Sequence, residues 1–205
     1  RVGLDASLIL QPATMSKDLQ ETTVESQLVY EGLFLKVRRD QARLPDGSIH
    51  GREWVVHPGA SAIMALADDG RVLIERQFRY AMQQVYIEIP AGKIDPGETP
   101  LQTARRELLE ETGYTAKQWG LLTRIHPAIG FTNEIIDIFF ARELGALETR
   151  NLDHGELLEI DWVSVGWLVD ELRAGRLPDV KTQISVMHLQ RMVEGDWPWP
   201  AFDLV

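Results

Sequence analysis

Three glutamates on one predicted helix are the residues of this chain best placed to do chemistry. Glu107 and Glu111 are four positions apart and Glu110 is three from Glu107, so a helix would carry all three carboxylates on one side. Like charges at this spacing repel, and the cluster costs stability unless a cation lies beside it. Hard divalent cations prefer carboxylate oxygens, and Mg²⁺ is usually held by one or two carboxylates together with a substrate phosphate. The spacing favours a cation site over the alternative for such a charge run, a solvated helix face.

The helix that would carry this cluster has a clear beginning and end. Thr99 can act as the N-cap, Pro100 suits the first helical position, and Gln102 completes a capping box. Gly113 stands where a left-handed C-cap is needed. These signals predict a helix over Thr99–Thr112.

A glycine-rich loop, Gly92–Gly97, leads into this helix and can bring backbone groups close to a bound phosphate. Arg106 precedes the glutamates on the helix. It can pair with Glu110 one turn later or with Glu98 from the loop.

The stretch from Gly92 to Tyr114 resembles the Nudix box, the G-x5-E-x7-R-E-U-x-E-E-x-G-U signature of Nudix hydrolases. Only the last position departs, since Tyr114 is aromatic where an aliphatic residue is commoner. With ordinary residue frequencies, so many matches arise by chance with a probability on the order of 10⁻⁷. The resemblance implies an α/β fold, the Nudix α/β/α sandwich with a mixed central sheet, and hydrolysis of a nucleoside diphosphate linked to another group. The matched positions are Gly92, Glu98, Arg106, Glu107, Leu108, Glu110, Glu111 and Gly113.

The same resemblance implies a metal site that uses Mg²⁺ or Mn²⁺. Glu107 and Glu111 would be the main ligands, and Glu111 is also a catalytic candidate. Glu98 and Arg106 would mostly hold the loop and the helix together. The further implied ligands are Glu110, Glu156 and the carbonyl oxygen of Ala91, just before the box.

Beyond the box, the chain from about Leu28 to Gln190 looks like the ADP-ribose pyrophosphatase group, most clearly in Arg76–Tyr80 and Glu88–Asp95. This resemblance implies cleavage of ADP-ribose, or a related nucleoside diphosphate sugar, to a nucleoside monophosphate and a sugar phosphate. Arg79 could instead be a surface arginine at a strand end, and the alternative for Arg52 and Glu53 is a cross-strand ion pair. The implied substrate-binding residues are Phe34, Arg52, Glu53, Arg79, Lys93, Gly130 and Glu134.

Enzymes of this group form homodimers with exchanged N-terminal strands, and each site draws residues from both subunits. We therefore expect residues 15–58 to form an antiparallel strand region used in dimerisation and residues 59–205 to form the Nudix domain. We expect residues 1–14 to be an added or disordered leader, because Met15 resembles a natural start.

Two departures from the group leave alternatives open. Ile129 stands where ADP-ribose pyrophosphatases carry a marker proline, so other substrates such as GDP-mannose, or a dinucleotide such as NADH, remain possible. In the loop Asp153–Glu156, Glu156 matches a metal ligand and His154 stands at the base position. Imidazole can accept a proton near neutral pH, and Glu156 or a box glutamate is the alternative base.

Composition narrows the classes of function further. The chain carries 21 Lys+Arg against 31 Asp+Glu and no cysteine. The net charge of −10 argues against a nucleic-acid partner, and the missing thiols exclude a disulfide framework, a thiolate zinc site and a cysteine nucleophile. No apolar run approaches the roughly 20 residues of a membrane span, so we expect a cytoplasmic protein without a membrane partner. A sensor that binds nucleotide sugars without cleaving them is disfavoured, because the box glutamates are all present.

Alternating apolar residues and turn signals place the other elements. Pro45–Gly47 predicts a tight turn within the strand-like region Glu25–Pro58. The remaining predicted strands are Ser61–Leu66, Arg71–Glu75, Tyr86–Ile89, Trp119–Ile125, Ile135–Glu143 and Glu159–Ser164, and the remaining predicted helices are Val165–Ala174 and Lys181–Val193.

Overall fold

The computed structural model describes residues 19–147 and 157–204 of the chain. These residues divide into two compact units, one ending at His57 and the other beginning at Pro58. No helix in the described ranges is long and apolar enough to cross a membrane.

The N-terminal unit is an antiparallel three-stranded sheet of β1 (Thr22–Glu31), β2 (Lys36–Arg43) and β3 (Ile49–Val56), in that order. The predicted turn at Pro45–Gly47 is confirmed, since the Gly47 N–H donates to the Leu44 carbonyl at 2.9 Å. All ten residues of β1 are exposed within the chain, and four of them are apolar. These four are Val24, Leu28, Val29 and Tyr30.

The second unit contains two sheets and three helices among its described residues. Strands β11, β8, β9, β4 and β7 form a five-stranded sheet in that order, and β10, β5 and β6 form a three-stranded one. The β4–β9 pair is parallel and the other pairs are antiparallel, so the larger sheet is mixed. The elements are β4 (Ala60–Ala65), β5 (Arg71–Arg79), β6 (Gln84–Glu88), β7 (Ala91–Lys93), α1 (Pro100–Thr112), β8 (Tyr114–Ile125), β9 (Ile136–Ala146), β10 (Leu158–Ser164), α2 (Val165–Arg173), α3 (Val180–Val193) and β11 (Asp203–Leu204).

The larger sheet lies between α1 on one side and α2 with α3 on the other. Successive side chains of a strand point to opposite faces, and β4 shows this directly. Ile63 and Ala65 pack in one core cluster with Leu108 of α1. Ala62 and Met64 pack in the other, with residues of α2 and α3 that include Leu168, Val186 and Leu189. The predicted α/β/α sandwich with a mixed sheet is confirmed.

Helix α1 agrees with its sequence signals. The Thr99 N–H donates to Gln102 Oε1 at 2.8 Å and the Gln102 N–H donates to Thr99 Oγ1 at 3.3 Å, which is the reciprocal pair of a capping box. Gly113 has φ +76° and closes the helix in the left-handed region. The other two predicted helices agree with α2 and α3 to within one residue at each end.

Several strands differ from the sequence prediction. Strand β5 continues to Arg79 instead of ending at Glu75, β9 continues to Ala146 instead of Glu143, and β11 was not predicted. Strand β8 begins at Tyr114 instead of Trp119, because the left-handed Gly113 turns the chain directly into pairing with Ala146. Strand β7 was not predicted. It is three residues long and contains Gly92, so it carries almost no apolar pattern, and pairing with β4 defines it.

Candidate active site

Strand β7 and helix α1 bring the predicted metal ligands of the described chain together. Gly92 of β7 pairs with Ser61 of β4, and the Ser61 hydroxyl donates to the Pro100 carbonyl at the start of α1 at 2.7 Å. This bond ties the sheet to the first turn of the helix. The helix then presents Glu107 and Glu111, one turn apart, to β7.

Glu107 lies so close to Gly92 that no side chain fits there. A Cβ built on Gly92 would lie 1.8 Å from Oε1 and 2.0 Å from Cδ of Glu107. Real Cβ atoms do not approach other heavy atoms so closely, and Gly92 is therefore required by this contact rather than by its backbone angles.

Glu111 is held by the same strand and is almost fully buried, with 2% of its surface exposed. Its Oε2 accepts a hydrogen bond from the Ala91 N–H at 3.2 Å. The buried carboxylate and the backbone of Ala91, two of the predicted metal ligands, are thus neighbours.

Arg106 links the loop before α1 to the glutamates on it. Its Nε and Nη2 donate to the two oxygens of Glu98 at 2.9 and 3.0 Å, and Nη2 also donates to the Lys93 carbonyl at 3.1 Å. Its Nη1 donates to Glu107 at 2.7 Å and to Glu110 at 3.0 Å. Both pairings that the sequence left open, with Glu98 and with Glu110, are formed at once.

Glu98 has a strongly perturbed acidity. Its hydrogen bonds from Arg106, and then from the Thr103 hydroxyl at 2.7 Å, lower the pKa of the Glu98 carboxyl from 4.5 to about 2. The hydrogen bonds of Arg106 to Glu98, and then, against the opposing effect of burial, those to Glu110 and Glu107, raise the pKa of Arg106. Glu98 and Arg106 therefore form a permanently charged pair that fixes the loop to the helix, as the sequence predicts.

The donor set suits a hard divalent cation. Three carboxylates, those of Glu98, Glu107 and Glu110, accept from the single guanidinium of Arg106. A fourth, that of Glu111, accepts from the Ala91 N–H, so these residues together carry a net negative charge. All candidate donors are oxygen atoms, the ligands that Mg²⁺ and Mn²⁺ prefer. Within residues 19–147 and 157–204, no group of three or more acidic or histidine side chains is arranged to hold a metal ion, and the Arg106 Nη1 donates to both Glu107 and Glu110.

Arg79, a predicted substrate-binding residue, lies at the end of β5. Its Nε and Nη2 each donate to one oxygen of Glu88 at 2.6 Å. Burial alone would raise the pKa of Glu88, but the hydrogen bonds and charges of Arg79 and Lys181 hold it below its usual value. The Arg79 side chain remains 42% exposed, so Arg79 is both ion-paired and accessible from the surface.

The other predicted substrate residues of this unit lie in two places. Lys93 ends β7 with an exposed side chain, next to the Arg106 contact. Gly130 is exposed in the turn in which the Phe131 and Thr132 N–H groups donate to the Ala128 carbonyl. Glu134 follows that turn and is half-buried.

Three predicted substrate residues lie in the N-terminal unit. Phe34 is exposed in the bend between β1 and β2. Glu53 forms a cross-strand ion pair, the alternative that the sequence left open. Arg52 forms two hydrogen bonds with Glu21, at 2.9 and 2.6 Å, and Glu53 accepts from Arg39 opposite it on β2 at 2.9 Å.

The predicted loop residues His154 and Glu156 lie outside the described residues. Three buried polar residues, Glu88, Lys181 and Thr182, received no role from the sequence. Glu88 accepts from Arg79 and Lys181, and Thr182 accepts from the Ile89 N–H. An acidic residue inside an apolar strand is the signal that could have identified Glu88. Lys181 and Thr182 follow Val180 in the first turn after the helix-capping Asp179, and in the sequence they look like ordinary first-turn residues.

Comparisons with known proteins identify the family of this chain. A family model described as NUDIX domain matches residues 33–183. The chain is 38% identical over 175 residues to the ADP-ribose pyrophosphatase of Bacillus subtilis (strain 168), covering 85% of this chain and 95% of that protein. It is 34% identical over 177 residues to the methanol dehydrogenase activator of Bacillus methanolicus, covering 86% and 96%.

A solved structure shares the fold. The crystal structure of an ADP compounds hydrolase superposes with a TM-score of 0.76 at 21% sequence identity, covering 88% of this chain and 98% of that one.

Proposed function

Because this chain belongs to the Nudix family, we propose that it is a metal-dependent hydrolase of ADP-ribose or a closely related nucleoside diphosphate sugar. The products are a nucleoside monophosphate and a sugar phosphate; ADP-ribose gives AMP and ribose 5-phosphate. The observation that carries the proposal is the complete set of box residues, folded around the Ala91–Gly92 backbone, in a chain 38% identical to an ADP-ribose pyrophosphatase along nearly its whole length.

Glu107 and Glu111, with the carbonyl of Ala91, would hold a divalent cation, Mg²⁺ or Mn²⁺, with Glu110 and Glu156 as further ligands. When bound, such a cation neutralises phosphate charge and lowers the pKa of water. The near-complete burial of Glu111 and the missing side chain of Gly92 support this assignment, because they place two carboxylates against one short stretch of backbone.

The remaining residues of the site orient the substrate and move a proton. Arg79 binds the diphosphate or the terminal ribose with the exposed part of its guanidinium, and Lys93, Gly130 and Glu134 contact the substrate. A base takes a proton from the attacking water as it approaches one phosphorus in line. Glu156 is favoured over His154 as that base, because a carboxylate serves beside a hard cation where imidazole is a poor partner.

The protein acts as a homodimer, and the N-terminal unit contributes Phe34, Arg52 and Glu53 to the nucleotide. The exposed apolar residues of β1 support this part of the proposal. An isolated three-stranded sheet gains little stability unless its apolar face packs against another apolar surface. A second copy of the chain would supply that surface.

A side-by-side measurement of kcat/KM for ADP-ribose, GDP-mannose and NADH, each with Mg²⁺ and with Mn²⁺, tests the substrate. We expect ADP-ribose to have the largest value. A larger kcat/KM for GDP-mannose or NADH would contradict the proposed substrate but would leave the proposed hydrolase activity standing. Binding of all three without any turnover would contradict the hydrolase and favour a nucleotide-sugar sensor.

A further inference from the structure

A buried ion-pair cluster joins the start of α3 to the end of β6, three residues before the proposed ligand Ala91. Glu88 is 2% exposed and Lys181 is 6% exposed. Lys181 Nζ forms an ion pair with Glu88 Oε2 and lies 3.1 Å from Asp179 Oδ2. Charged groups are rarely buried unless they are paired, so each partner depends on the other.

Glu88 also binds Arg79, so the position of its carboxylate affects the position of the Arg79 guanidinium. The oxygen that contacts Lys181, Oε2, also accepts from Arg79 Nη2, and Oε1 accepts from Arg79 Nε. The guanidinium is therefore held along one edge by a carboxylate that Lys181 itself holds from the other side. A bidentate arginine–carboxylate pair fixes direction as well as distance.

A second contact ties the same two elements. The Ile89 N–H donates to Thr182 Oγ1 at 3.0 Å, and the Thr182 hydroxyl donates to Asp179 Oδ2 at 2.6 Å. Asp179 also caps α3, since its Oδ2 accepts from the Thr182 N–H at 2.9 Å. The first turn of α3 thus contacts two successive residues, Glu88 and Ile89, of the chain that leads into β7.

The charge balance explains why a buried lysine is needed. Glu75 is fully buried and lies directly opposite Glu88 in the antiparallel pairing of β5 with β6. Two carboxylates therefore occur at neighbouring positions of the sheet, and the negative charges of Glu88, Glu75 and Asp179 all act on Arg79. Without the charge of Lys181, Arg79 would be left to balance these carboxylates. Their attraction would then pull the guanidinium towards Glu88 and away from the surface.

We propose that Lys181 is a positioning residue for Arg79. By sharing the Glu88 carboxylate, it keeps the Arg79 guanidinium half exposed and correctly oriented for the substrate diphosphate. The inference rests on the proposed function, since Arg79 has this task only if the chain binds a nucleoside diphosphate sugar.

The test compares the kinetics of three variants with ADP-ribose. Lys181→Met removes the charge and keeps the length, Lys181→Arg restores a cation, and Lys117→Met is a matched control at an exposed position of β8. For Lys181→Met we expect KM to rise about 10-fold while kcat stays within about 3-fold, because ground-state binding is lost. Lys181→Arg should return KM to near the wild-type value, and Lys117→Met should have the wild-type KM and kcat.

An unchanged KM in folded Lys181→Met, or a loss confined to kcat, would overturn the positioning role. If that variant does not fold, Thr182→Val removes only the second contact, and we expect it to raise KM about 3-fold; an unchanged KM would again overturn the inference.

Hydrogen exchange of the backbone over residues 84–93 gives a readout that needs no activity, and the Lys181→Met protein should exchange faster there than the wild type. Equal exchange would overturn the inference, whereas a wild-type protein without turnover would overturn only the proposed function.

Discussion

At the scale of single residues, Arg106 organises the site. A guanidinium offers five N–H donors in a fixed plane, and Arg106 uses them to contact Glu98, Glu107, Glu110 and the Lys93 carbonyl. One side chain thereby fixes the loop, the helix and the edge of β7 in one geometry. It also offsets part of the repulsion among carboxylates on one helix face.

Protonation of Glu98 should contribute to the loss of folding stability in acid. Its pKa is lowered from 4.5 to about 2 by Arg106 and Thr103, so its charged form stabilises the folded state. That contribution is fully present above pH 4.5 and is lost as the pH falls through about 2. We expect Glu98→Gln to have a lower free energy of unfolding than the wild type near neutral pH. In acid, the difference in free energy of unfolding between the two proteins should become smaller.

Urea denaturation across this pH range measures the effect, with Glu159→Gln, an exposed residue of β10, as the control. A constant difference between the wild type and Glu98→Gln at every pH would contradict the role given to this carboxylate.

Glu111 should be needed for turnover and not for folding. Gln at this position keeps the shape of the side chain and can still accept the hydrogen bond from the Ala91 N–H, but it removes the charge that would hold the cation. We expect Glu111→Gln to lower kcat at least ~10²-fold at saturating Mg²⁺. Wild-type turnover of this variant, measured beside Glu159→Gln, would remove Glu111 from the ligand set.

At the scale of elements, the site depends on how closely β7 approaches α1. The capping box at Thr99 and the Ser61–Pro100 hydrogen bond set the start of the helix against β4. Pairing of β7 with the same strand then places Gly92 beside Glu107.

Gly92→Ala tests this approach. The added Cβ would lie 1.8 Å from Glu107 Oε1, so the carboxylate must move away from β7. We expect kcat to fall about 10²-fold, as misplacement of a catalytic group by about 1 Å can cause. The control is Gly166→Ala in α2, where the nearest side-chain atom that an added Cβ would meet, Ser164 Oγ, is 4.0 Å away. An active Gly92→Ala enzyme would show that Glu107 has another working position.

The sequence predicts these elements unevenly, for physical reasons. Helix α1 follows from local signals, because its caps and its apolar face lie within a few residues of one another. Strand β7 has no such signal, since it exists through its pairing with the distant β4. The Glu88–Lys181 pair joins residues 93 positions apart, and no local pattern indicates that these two charges are buried together.

The candidate site divides in the same way. The box spacing alone groups Glu107, Glu110 and Glu111, whereas the pairing of Arg52 with Glu21, 31 positions away, depends on the tertiary path of the chain. The roles of His154 and Glu156 stay predictions.

At the scale of the whole molecule, the exposed apolar residues of β1 predict a homodimer. Light scattering should give twice the chain mass of 23.2 kDa. Leu28→Glu places a charge on the exposed apolar face, and we expect it to weaken the dimer and lower activity together, because the site would draw residues from both subunits. Gln27→Glu adds the same charge at a neighbouring polar position and serves as the control. A fully active wild-type monomer would contradict the dimer.

The central claim is that the carboxylates around Ala91 and Gly92 support metal-dependent cleavage of a nucleoside diphosphate sugar. The most direct measurement is the ³¹P NMR spectrum of ADP-ribose incubated with the protein and Mg²⁺, and again with excess EDTA. With Mg²⁺, the diphosphate resonances should be replaced by two phosphomonoester resonances, those of AMP and ribose 5-phosphate, and with EDTA they should persist. Diphosphate resonances that are unchanged with Mg²⁺, or equally fast conversion in EDTA, would contradict the account.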